Sequence, residues 1–376
     1  MSVVRSPLSV AKLRSFQPSA KRGNSPLATN HRRRTTDNGR LTTGMKRIAI
    51  IGAGNWGTAL AATLARTGHT VALWAHELEV VESIRARREN ALFMPGVKLP
   101  ESIGATNDLG EALEQAEIVL TAMPSHVCRA LYDRMLNCLR PEMIFVSATK
   151  GIDTERAMRM SEIIASVVGF RFVPRLCVLS GPSFAQEVVR GDPTAVVVAS
   201  CERAAAQLVQ KEFSSRALRI YTSSDVVGVE MGGAVKNIIA IAAGVIAGLG
   251  LGHNPTAALI TRGLAEISRL ACACGAKRET LAGLAGMGDL VLTCTGDLSR
   301  NRMVGVELGR GRKLAEIIGS MRMVAEGVKT TYATVALAEL HGIEMPITHQ
   351  VHRILEGQVT PREAIRELME RTLKDE

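Results

Sequence analysis

The chain has 376 residues, 46% hydrophobic and 22% charged, which excludes a disordered or fibrous class and allows about two domains of ordinary size. Aromatic residues make up only 3% and do not interleave with basic stretches, which argues against a protein that stacks nucleic-acid bases. The formal charge is +10, but nine of the 46 basic residues and one of the 36 acidic ones fall within residues 1–44, so that segment carries +8 and the rest of the chain only +2.

Residues 1–44 are rich in Ser, Arg, Pro, Asn and Thr without a sustained apolar period, and read as a disordered basic arm. Three origins compete. Translation could begin at Met45, whose context MKRIAII suits a first strand; the arm could be an organelle transit peptide; or it could bind nucleic acid. The first is preferred, so the expected location is cytoplasmic and no nucleic-acid partner is expected. No apolar run precedes Met45, which argues against a secretory signal.

The run RIAII (47–51) is short, β-branched and apolar, as expected of a buried strand. A glycine-rich turn, a helix TALAATLART and Gly68 as a stop come next, then a second strand TVALWA (70–75) and a charged helix from Glu77 to Glu89. Further strand-like runs are 118–122, 143–148, 176–180, 194–199 and 217–221, with helical stretches between most of them. That alternation predicts an α/β, Rossmann-like, doubly wound parallel sheet over residues 45–222. Near Asp225 the pattern changes to long Ala/Leu/Ile-rich helices, so residues 223–376 are expected to form an all-α domain. Residues 231–251 resemble a membrane span in composition, but Lys236 and Asn237 sit inside the run, which suits a buried helix better. The seven cysteines fit neither a zinc site nor a disulfide framework, so no metal is expected.

Five short runs carry chemistry. Gly52, Gly54 and Gly57 form GxGxxG between a strand and a helix, the context in which the motif holds a dinucleotide pyrophosphate. His76 and Glu77 follow the second strand, where an acid favours NAD and a basic group favours a 2′-phosphate, so they leave the cofactor open between NAD and NADP. Lys150, in ATKG, and Gly181 and Ser183, in SGPSFA, follow strands at the end where such sheets bind ligands. Lys236 beside Asn237 lies in an apolar helix; a desolvated lysine has its pKa lowered and can serve as proton donor to a ketone oxygen. Last, the stretch 286–305 gathers Asp289, Thr293, Ser299, Arg300, Asn301 and Arg302, and in it an arginine flanked by Ser and Asn can clamp a phosphate through several donors. Each run also has a plainer reading, as a turn, a surface lysine or a helix cap.

Taken in order, GAGNWGTALA, PSH (124–126), ATKG, SGPSFAQEV with GDPTAV, GGAVKNIIAIAAG, AALITRGLAEISRL, GLAGMGDLVLTCT with SRNR, and MPIT (345–348) resemble the bacterial-type NAD(P)-dependent glycerol-3-phosphate dehydrogenases from Met45 onwards. The resemblance implies a Rossmann-like domain followed by a helical one, as in 6-phosphogluconate dehydrogenase. It implies a reaction between dihydroxyacetone phosphate and sn-glycerol 3-phosphate that feeds glycerophospholipid synthesis, with NADPH favoured over NADH. By the same resemblance, Asn55, Trp56, His76, Ala185, Val324 and Glu326 would contact the cofactor, although the family often has Ser where Asn55 stands. Gly181, Ser183, Asp289, Ser299 and Asn301 would bind substrate. Lys150 and Arg300 would touch both ligands, and Lys236 would transfer the proton. The alternatives are a related hydroxyacid dehydrogenase and a non-catalytic nucleotide-binding regulator. The apolar helices of the second half leave room for a homodimer, and no stable membrane insertion is expected.

Overall fold

The computed structural model describes residues 44–321 and 325–373. Eight strands form one sheet: β1 (Arg47–Ile51), β2 (Thr70–Trp74), β3 (Ile103–Thr106), β4 (Ile118–Thr121), β5 (Ile144–Ser147), β6 (Arg175–Ser180), β7 (Thr194–Ala199) and β8 (Leu218–Ser223). Their order is β3-β2-β1-β4-β5-β6-β7-β8. The chain thus runs outward from β1 in one direction, then returns to β1's other side at β4, and the crevice lies where the order reverses.

The apolar strand runs follow from helices on both faces. Ile48 and Ile50 pack into one core layer and Ala49 and Ile51 into another, so β1 has no polar face to present. Two features depart from the sequence pattern. β3, with the sequence IGAT, has too short an apolar run to announce itself. The sheet is also not parallel throughout: β7 runs antiparallel to β6, and β8 runs parallel to β7. The link between β6 and β7 holds one short helix, Ala185–Arg190, which does not carry the chain back across the sheet, so β7 enters from the end where β6 finished.

Beyond Ser223 the described residues are helical. The helix Val226–Gly248 is the axis of this half, and 83% of its most apolar window is buried, so the span-like composition belongs to a core helix. Gly244 and Gly305 let it cross the helix Arg300–Gly309 closely. A Cβ on Gly244 would lie 2.0 Å from the Arg302 carbonyl oxygen, and one on Gly305 would lie 1.9 Å from that of Ile241. At the polar start of the second helix Asn301 lies close to Asn237: a Cβ on Gly327 would fall 2.8 Å from both Asn301 Oδ1 and the Asn237 carbonyl oxygen.

Candidate functional site

The dinucleotide end is shaped by three glycines in different ways. Gly52 has φ +115°, and a Cβ there would come 2.7 Å from the Ala122 carbonyl oxygen. A Cβ on Gly57 would fall 1.8 Å from the Gly52 carbonyl oxygen, so only glycine lets the helix start so close to β1. At Gly54 a Cβ would meet nothing within 4 Å, which leaves bare backbone facing outward. The helix Asn55–Arg66 begins there with no side-chain cap, so its first amides are available to an anion. Beside them, Asn55 Oδ1 and Trp56 Nε1 are buried without a hydrogen-bond partner among the described residues. The cradle therefore fits a dinucleotide pyrophosphate. His76 is exposed just past β2, its ring 6.3 Å from that of Trp74, and Glu77 beside it is half-buried. Ala185 is half-buried at the start of its helix.

The other end of the cleft is a buried charge cluster. Lys236 is 5% exposed and Asp289 1% exposed. Lys236 Nζ donates to Asp289 Oδ1 at 2.5 Å and to Thr293 Oγ1 at 2.6 Å. Lys150 Nζ reaches from the sheet to Asp289 Oδ2 at 2.7 Å and to the Gly181 carbonyl at 3.2 Å. One carboxylate thus holds two ammonium groups, one from each half of the chain. Burial brings the Lys236 ammonium down to about 8; the Asp289 charge opposes the fall and Lys150 adds to it. Ser183 Oγ also donates to the Gly181 carbonyl, at 2.9 Å. Gly181 itself has φ +145°, and a Cβ there would lie 2.9 Å from Val196 Cα.

The rim is formed by the helix Arg300–Gly309. Ser299 caps it, its hydroxyl accepting from the Arg302 amide at 3.2 Å. Asn301 Oδ1 accepts from the Gly327 amide at 2.9 Å and so fixes the start of the helix Glu326–Leu340. Arg300 is half-buried, and that burial lowers its guanidinium pKa while the Glu326 charge works the other way. Among the described residues its guanidinium has no hydrogen bond and no ion pair. Such an unengaged planar cation suits a phosphate. Val324 lies outside the described residues.

Residues 47–206 match the family model for the NAD-dependent glycerol-3-phosphate dehydrogenase N-terminus, and residues 225–366 match the one for its C-terminus. A glycerol-3-phosphate dehydrogenase [NAD(P)+] of Koribacter versatilis is 61% identical over 329 residues, spanning 87% of this chain and 98% of the relative. The chain belongs to the NAD-dependent glycerol-3-phosphate dehydrogenase family. Within that family, the Geobacter sulfurreducens relative is 53% identical over 331 residues, which covers 88% of this chain and 99% of that protein. The crystal structure of the Coxiella burnetii glycerol-3-phosphate dehydrogenase aligns with a TM-score of 0.84 at 42% identity, over 87% of this chain and 99% of that one.

Against this family frame, the geometry brings Lys150, Gly181, Ser183, Lys236 and Asp289 into one connected cluster. Asn301 and Glu326 meet through the start of one helix, with Arg300 beside them. Gly52, Gly54, Asn55, Trp56 and Gly57 form the separate cradle. Two contacts are not legible in the sequence. Thr293 appears in the sequence only as part of a polar run, yet it bonds Lys236 directly. Ser125, inside the PSH run, bonds Glu326 from 201 positions away, and no local pattern could signal that.

Proposed function

We propose that this chain is an oxidoreductase that interconverts dihydroxyacetone phosphate and sn-glycerol 3-phosphate, with NAD or NADP as cofactor. The observation that carries this reading is Lys236, a buried ammonium poised near 8 and aimed with Lys150 at a shared carboxylate. Ketone reduction needs an acid of that strength at the oxygen that gains charge. The reduced nicotinamide, when bound, supplies the hydride for the carbonyl carbon. Lys236 Nζ gives its proton to the carbonyl oxygen, which completes the alcohol. Lys150 adds positive charge beside that oxygen. Asp289 orients both ammonium groups and, with Thr293, keeps the Lys236 head from turning away. Arg300 takes the phosphate, with Ser299, Asn301, Gly181 and Ser183 around the substrate.

On the cofactor side, Gly52, Gly54, Asn55, Trp56 and Gly57 would hold the pyrophosphate. His76 would contact the adenosine side of the cofactor, and Ala185, Val324 and Glu326 are carried over from the family resemblance as further cofactor contacts. His76 is exposed where a 2′-phosphate would sit, which favours NADPH. A division near residue 223 into a cofactor domain and a catalytic domain, a cytoplasmic location, a homodimer and a role in supplying glycerophospholipid synthesis belong to the same proposal.

The test is absorbance of the reduced nicotinamide with dihydroxyacetone phosphate as substrate. Rapid loss with NADPH or NADH is the expected result. No loss with either, from folded protein that binds nucleotide, would overturn the reading, and activity on a 2-keto acid instead would replace it.

A further inference from the structure

Ser125 and Glu326 meet across the cleft. Ser125 lies just past β4, and Glu326 opens the helix Glu326–Leu340. The Ser125 hydroxyl donates to Glu326 Oε2 at 2.7 Å, and its amide donates to Oε1 at 3.4 Å. Both carboxylate oxygens are therefore engaged by one residue. Gly151 makes room for the contact: a Cβ there would lie 2.6 Å from Ser125 Cβ and 3.3 Å from Glu326 Oε2.

Arg300 lies within the electrostatic reach of the same carboxylate. The Asn301–Gly327 hydrogen bond of 2.9 Å ties their neighbouring backbones together. A guanidinium and a carboxylate, both half-buried, attract each other, yet these two form no direct ion pair or hydrogen bond. The other charged or titratable groups nearby are Lys329, on the helix of Glu326, and His126, beside Ser125.

We propose that Ser125 is a positioning residue: it holds the Glu326 carboxylate off Arg300, which leaves the guanidinium free for the phosphate monoester of the substrate. The proposal rests on the reading of Arg300 as the phosphate group's partner. Without the hydroxyl, Glu326 loses the shorter of its two bonds and is free to turn to Arg300. An internal carboxylate then competes with the substrate phosphate for one cation. The result is weaker substrate binding with little change in the chemical step.

The test compares the wild type, Ser125→Ala, Glu326→Gln and the double variant at saturating cofactor. KM for dihydroxyacetone phosphate and the competitive inhibition constant of inorganic phosphate are measured for each. Ser125→Ala should raise both by about three- to tenfold, the scale of a partly shielded ion pair, with kcat within about twofold. In the Glu326→Gln background, whatever that change does by itself, Ser125→Ala should raise neither constant further, because a neutral amide cannot compete for Arg300. Unchanged constants in Ser125→Ala, or the same increase on adding Ser125→Ala to Glu326→Gln, would overturn the proposal. Arg300→Ala separates the two readings. If it leaves phosphate binding intact, the phosphate assignment itself falls; if it weakens binding while Ser125→Ala does not, only the role of Ser125 falls.

Discussion

At the dinucleotide end of the cleft the groups that face a ligand are mostly backbone: the bare edge at Gly54 and the amides that follow it. At the substrate end they are charged side chains drawn from both halves of the chain, with Lys236 and Lys150 sharing Asp289. The first end recognises shape and a diffuse negative charge, and a helix terminus provides this without burying an ion. The second has to move a proton, so it buries ions and accepts the desolvation cost. Damage at the two ends should therefore look different. Changes to the cradle should weaken nucleotide binding, and changes to the charge cluster should alter turnover and its pH dependence.

The largest effect is expected at the proton donor. Lys236→Ala should lower kcat by about 100-fold or more, the usual scale for loss of a general acid. Nucleotide affinity, measured by fluorescence titration, should stay close to wild type; unchanged turnover in the folded variant would end the assignment. Next comes the cradle. In Gly57→Ala the new methyl would meet the Gly52 carbonyl at 1.8 Å, so the turn must open. Overpacking of this kind costs about 1–3 kcal/mol, and nucleotide affinity should fall about tenfold or more. Retained affinity in that variant would mean that the helix start does not need its close approach to β1.

A subtler effect tests the shared carboxylate. Asp289 holds the Lys236 pKa up against burial. Reduction needs the protonated amine, so its rate should decline as pH rises through about 8, and oxidation should rise over the same range. In Asp289→Asn the opposing charge is gone and the Lys236 pKa falls further. Both limbs should then move to lower pH in pH–rate profiles. Limbs that stay in place would show that Lys236 is not the group that titrates.

The same contrast explains what the sequence makes legible. The cradle is written within six consecutive positions between a strand and a helix, so the motif and its context can be read together. Lys236 stands out because a charge inside an apolar helix needs a reason. The resemblance implies only that Asp289 binds substrate; its hold on the two lysines is not legible, because those partners lie 53 and 139 positions away. Thr293 is hidden for the same reason, and Ser125 more so. The helical second half is visible in its composition, whereas the reversal at β7 is not, because strand direction depends on how the link returns and leaves no mark on the strand itself.

The smallest effect expected lies where the two ends differ least, at the exposed edge past β2. His76 can offer a ring nitrogen to a 2′-phosphate, while Glu77 can accept from a 2′-hydroxyl. His76 is exposed, so water screens it and competes for its hydrogen bond, and either contact is worth little. Replacing His76 by Ala should lower kcat/KM for NADPH by about threefold, the scale of one net hydrogen bond, and leave NADH nearly unchanged. The ratio of the two cofactors in one assay reads this directly. A parallel loss with both would place His76 against the adenosine they share. A gain with NADPH would mean that another group holds the 2′-phosphate.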